Sequence, residues 1–144
     1  MTNLNKKLII MGLKDSERRD LVKYRLEKSY STFAEVQVQL DNKFYRTAAN
    51  RLYYACFYAA AALLIGNGYE TNSHNAVKRL LGLYFIKENK LDKSYGKTYE
   101  LLLNMRQKGD YEDWIDIKEE DIAPLIEPAQ KFIKEIEKLI NINP

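Results

Sequence analysis

The segment NMRQKGDYEDW, residues 104–114, places Arg106, Asp110 and Tyr111 close together in the chain. If a helix ends here, Arg106 falls in its last turn, where the helix dipole favours a cation. Asp110 then lies past a terminus that disfavours a carboxylate. A positive group must hold Asp110, and the candidates are Arg106 and Arg51. Arg51 stands beside Asn50 at the entrance of NRLYYACFYAAAALLIG, residues 50–66, with Tyr53, Tyr54 and Tyr58 just behind. Two arginines around one carboxylate leave net positive charge beside aromatic faces, a seat for a phosphate and a base. Asn50, Arg51 and Tyr54 are the expected ligand-binding residues. An Arg–Asp–Tyr network that only pins the turn, with Tyr111 as a plug, fits the same residues, and both accounts stand open.

The chain has one histidine, His74, which excludes a histidine metal cluster. A Ser-His-Asp triad would have to run through it, and no nucleophile is marked. His74 opens a helix after TNS and is most simply a surface or capping residue, with proton transfer at a site as the alternative. The carboxylates of DYEDWID lack the spacing and central glycine of a calcium loop. There is no Gly-rich phosphate loop. The single cysteine, Cys56, sits among Ala, Phe and Tyr, where a buried inert thiol is expected. No metal and no cofactor is expected.

Apolar periodicity predicts five helices to position these groups. The first covers about Ser16 to Asp41, with Ser16 as N-cap and Leu21, Tyr24, Leu26, Tyr30, Phe33, Val36, Val38 and Leu40 recurring at helical spacing. The second covers about Asn42 to Ile65 and ends at Gly66 and Gly68. The third, His74 to about Glu88, carries a stripe of Val77, Leu80, Leu81, Tyr84 and Phe85. The fourth, Ser94 to about Gln107, is stopped by Gly109. The fifth runs from about Ile117 to Ile142, with Asp116 and Glu119 as a capping box and Pro124 and Pro128 bending or delaying its start. No stretch alternates long enough for a strand. The expected fold is all-α, an antiparallel four- to five-helix bundle forming a single domain over 1–144, with its core in about 16–140. The second helix is apolar nearly all round, so other helices or a second subunit must enclose it. Its alanines, Ala59 to Ala62, are compatible with a homodimer.

The apolar run Leu52 to Ile65 falls short of the ~20 residues of a membrane span, and no leader is recognisable, so a cytoplasmic protein without a membrane partner is expected. The net charge is +3, unevenly spread: residues 74–108 hold eight Lys/Arg against three Asp/Glu, and residues 110–121 hold one against seven. A basic face that attracts phosphate is compatible with this distribution, as are ordinary solvated helix faces.

NRLYYACFYAAAALL, GYETNSHNAVKRL and LLNMRQKGDYEDW, in this order and spacing, resemble the HEPN family of prokaryotic helical domains over roughly residues 16 to 140. The resemblance implies an antiparallel helical bundle that commonly dimerises and associates with nucleotide or nucleic acid. It also implies pairing with a small nucleotidyltransferase, as in toxin–antitoxin modules. Many relatives are metal-independent ribonucleases using an Arg followed four to six residues later by a His. Here Arg106 matches that Arg, but Asp110 and Tyr111 stand where the His would fall, as in the branch whose motif ends in Asp-Tyr. Proton transfer without a metal needs a group titrating near neutrality, which His supplies and an ordinary Asp does not. Arg106, Asp110, Tyr111 and His74 are the candidate catalytic residues. Three functions are open: a nucleotide- or RNA-associated protein, an active endoribonuclease, or a helical interaction module without a ligand.

Overall fold

The computed structural model describes residues 13–111, without the side chains of 110 and 111, and residues 116–142. Within them the chain is all-α: α1 Asp15–Asp41, α2 Tyr45–Gly66, α3 His74–Leu81, α4 Lys93–Tyr111 and α5 Glu119–Ile142. α3 continues into a wider π-helical turn, Gly82–Ile86.

The centre is α2, which touches each of the other four helices. Of its 22 residues 13 are buried, Ala59 to Ala62 among them. The chain's own helices cover this small-residue run, and it needs no second subunit. α1 approaches it closely along Val22, Ser29, Thr32, Val36 and Leu40. Small side chains permit that approach, and Ser29 Oγ donates to the Ala55 carbonyl at 2.6 Å. Two members of the expected α1 stripe, Tyr24 and Val38, point outward instead. By length and composition α2 suffices to cross a membrane, which the shorter apolar run did not suggest. In the bundle 72% of its apolar window is buried.

Backbone chemistry sets the helix ends. α1 begins one residue before the expected cap, with Lys14 at the N-cap and Asp15 and Glu17 complementing the dipole in the first turn. It ends with Lys43 at φ 62°, where Phe44 N donates to Gln39 O and Lys43 N to Leu40 O. That left-handed residue separates the helices, so α2 starts at Tyr45 and not at Asn42. The same motif closes α2 at Gly68, φ 82°, as expected of a glycine there. Ser73 caps α3, its Oγ accepting from Ala76 N at 3.0 Å.

Three further boundaries differ from expectation. The π turn rotates the residues after Leu81, so Phe85 stays in the core while Tyr84 faces out and stacks on Tyr69 at 4.7 Å. Gly109 does not stop α4, which runs on to Tyr111. It makes room: a Cβ at this position would lie 2.9 Å from Ile117 Cδ1. α5 starts at Glu119, ahead of both prolines, so Pro124 and Pro128 do not delay it. Its first turn is secured by Asp121, which accepts from Lys118 N at 2.9 Å in place of the expected Asp116–Glu119 box.

Candidate functional site

Helical spacing presents Tyr53 and Phe57, four apart, on one side of α2, with Asn50, Arg51 and Tyr54 beside them. On α4 Tyr99 and Arg106 are seven apart, two turns along one face. α3 begins at His74 opposite both. These three helices build the site.

Two guanidinium groups converge on one ring. Arg51 Cζ lies 5.4 Å from the centre of Tyr54 and Arg106 Cζ lies 5.5 Å from it, from different helices. Arg106 is also 5.6 Å from the Tyr53 ring. Arg51 is held by Asn50, whose Oδ1 accepts from Nη2 at 2.7 Å and from Nε at 3.1 Å. Its carboxylate neighbour is Glu35 of α1 at 3.5 Å, a partner the sequence did not single out. The side chains of Asp110 and Tyr111, and with them the sharing of Asp110 by the two arginines, lie outside what the structure describes.

His74 is not merely a capping or surface residue. Its ring sits 4.5 Å from Phe57, 5.6 Å from Tyr53 and 5.7 Å from Tyr54. Nδ1 is 2.6 Å from Tyr53 Oη, which is 3.3 Å from Tyr99 Oη. Burial, and then the charge of Arg106, pushes His74 below its ordinary value of 6.5, so the ring is neutral near pH 7. Burial raises Tyr53 to about 12 and pushes Tyr99 up as well, so both phenols keep their protons. Burial likewise pushes the Cys56 thiol up, which suits an inert core residue.

The aromatic and cationic groups extend along α2. The Tyr58 ring lies 5.8 Å from Tyr54, and Lys28 Nζ of α1 stands 4.7 Å from its centre. Alternating rings and cations of this kind can stack bases and attract a phosphate backbone.

The structure therefore brings Asn50, Arg51, Tyr54, His74 and Arg106 together. Sequence reasoning did not assign Tyr53, Phe57 or Tyr99 to the site. The seven-residue spacing of Tyr99 and Arg106 is the signal that could have found Tyr99, since it places both on one face of one helix. Tyr53 stood out in the sequence only as one of three tyrosines behind Arg51, with no role assigned to it.

The model of the HEPN domain matches residues 22–139 of this chain. A UPF0332 protein of Thermotoga maritima is 31% identical over 125 residues, spanning 87% of this chain and 95% of that one. Two proteins of Methanocaldococcus jannaschii carry the name "Putative toxin". One is 30% identical over 90% of this chain and 96% of its own length, the other 30% over 85% and 83%.

Proposed function

The chain belongs to the HEPN domain family, and on that premise we propose that it is a toxin-like protein whose α2–α3–α4 site binds a phosphate-bearing ligand, a nucleotide or RNA. One observation carries this proposal: Arg51 and Arg106 come from different helices to the same ring, Tyr54. Two arginines beside half-buried aromatic rings suit a phosphate with a base stacked next to it. The names borne by the two Methanocaldococcus relatives support the toxin-like part.

The proposal includes a cytoplasmic protein working as a homodimer with a small nucleotidyltransferase partner. Support for self-association comes from the exposed apolar side chains of Tyr24, Val38 and Phe44. Titration of a fluorescent oligoribonucleotide tests the site. The wild type binds with a steep salt dependence, and Arg106→Ala weakens binding about tenfold. Equal affinity of the two proteins would refute the site.

An active metal-independent endoribonuclease is the second reading, favoured by the charge of Arg106 acting on His74. Cleavage requires a base that removes the 2′-hydroxyl proton, attack of that oxygen on phosphorus, and departure of the 5′-oxygen with a proton. RNA degradation by wild type beside Arg106→Ala, with metal chelated, decides between cleavage and binding alone.

A further inference from the structure

His74, Tyr53 and Tyr99 form a chain of three polar groups running from the site into the core. Tyr53 and Tyr99 are 0% and 1% exposed. Their contacts, Nδ1 to Tyr53 Oη at 2.6 Å and Tyr53 Oη to Tyr99 Oη at 3.3 Å, admit two directions of proton donation. Suppose His74 donates from Nδ1. One of the two phenol protons, that of Tyr99 or that of Tyr53, then finds no acceptor among the described residues. An unused donor in a buried place costs more than a made hydrogen bond returns. In the other direction Tyr99 donates to Tyr53 and Tyr53 donates to Nδ1. Every proton in the chain is then used.

We infer that Tyr53, backed by Tyr99, is a positioning residue that fixes His74 in the tautomer with its proton on Nε2, so that His74 presents a neutral N–H donor to an anionic oxygen beside Arg106. The tautomer of an imidazole is set by what its other nitrogen bonds, and here that partner is fully buried. Nothing among the described residues hydrogen-bonds Nε2, which leaves it for a ligand. Phe57 at 4.5 Å holds the ring plane. A neutral donor adds direction to the charge of Arg106 without setting a second cation against it. The ligand half of this inference rests on the phosphate-binding proposal above; the tautomer half does not.

The chain contains a single histidine, so its ring nitrogens are identified without ambiguity in a long-range proton–nitrogen correlation spectrum of the full-length ¹⁵N-labelled protein. At neutral pH Nδ1 should resonate as an unprotonated nitrogen and Nε2 as a protonated one, with about tenfold or greater bias. The opposite tautomer, or an even average, overturns the inference. Tyr99→Phe should leave the tautomer unchanged, because Tyr53 still donates to Nδ1. A switch in that variant would show that the chain runs the other way. Tyr53→Phe removes the partner of Nδ1 and should move its resonance and average the tautomers. An unchanged spectrum in folded Tyr53→Phe overturns the positioning role.

Titration with inorganic phosphate and with an oligoribonucleotide tests the donor role. Phosphate should shift the Nε2 proton, and Tyr53→Phe should weaken phosphate binding about tenfold. If the oligoribonucleotide binds in an Arg106-dependent way while Nε2 stays unmoved, the donor role fails and the phosphate-binding proposal stands. If neither probe binds, that proposal fails and the donor role with it.

Discussion

The guanidinium of Arg106 lies 5.5 Å from the centre of the Tyr54 ring, joining the last two turns of α4 to the middle of α2. A cation over a partly exposed ring contributes modestly to folding, because water solvates the charge almost as well. Its value is in what it brings together: guanidinium groups from two helices on one ring, Arg51 being the other.

From that balance, Arg106→Ala should lower stability by only about 1 kcal/mol. The loss of affinity for an oligoribonucleotide should be at least as large in free energy, because a charge-assisted contact to phosphate is lost. Urea melts beside binding titrations check this. A variant that loses stability and no affinity would identify Arg106 as purely structural.

His74 gives stability a pH dependence with a definite sign. Its pKa is lowered in the folded protein by burial and by Arg106, so the unfolded chain takes up the proton first as pH falls. The contribution is complete above the ordinary value of 6.5 and is lost as pH drops through it toward the folded value. Urea unfolding across pH 5 to 8 should show this slope, and it should flatten in His74→Gln whatever that substitution does to absolute stability.

The two left-handed helix ends predict opposite outcomes for opposite substitutions. Gly68, at φ 82°, tolerates no Cβ without strain, so Gly68→Ala should cost about 1 kcal/mol. Lys43, at φ 62°, already carries that strain, and its side chain is exposed. Lys43→Gly should therefore stabilise by a few tenths of a kcal/mol to about 1 kcal/mol. Thermal melts of the pair, read against each other, test whether these turns limit stability.

Light scattering at micromolar concentration should give a particle of twice 16.9 kDa. Replacing Tyr24 and Val38, exposed at 54% and 56% on α1, by polar residues should return it to a monomer without loss of helix content. A 16.9 kDa particle in the unaltered protein would rule the dimer out.

The five helices and their order were legible because long apolar stripes and the Ser73 cap are local signals. Their ends were less so. Lys43 and Asn89 adopt positive φ without being glycine, and the π turn after Leu81 shifts which side chains face inward. None of this shows in periodicity. Of the site, Arg51, Tyr54 and Arg106 were recognisable as charge and aromatic groups out of place on an apolar helix or at a helix end. The Glu35 partner of Arg51 and the burial of Tyr53 against His74 were not, since both depend on how α1 and α3 lie across α2.

Because α2 touches each of the other four helices, it has no partial state in which to survive. Opening any neighbour exposes part of a strand of core that the remaining helices cannot rebury, so the domain should unfold as one cooperative unit. Amide hydrogens around Tyr53 and Cys56 should exchange only through that global event. The same residues carry one wall of the site, with α3 and α4 supplying the others. A ligand that bridges Tyr54, His74 and Arg106 would thus bind no partly opened form, and its binding free energy would add in full to protection against proteolysis and heat.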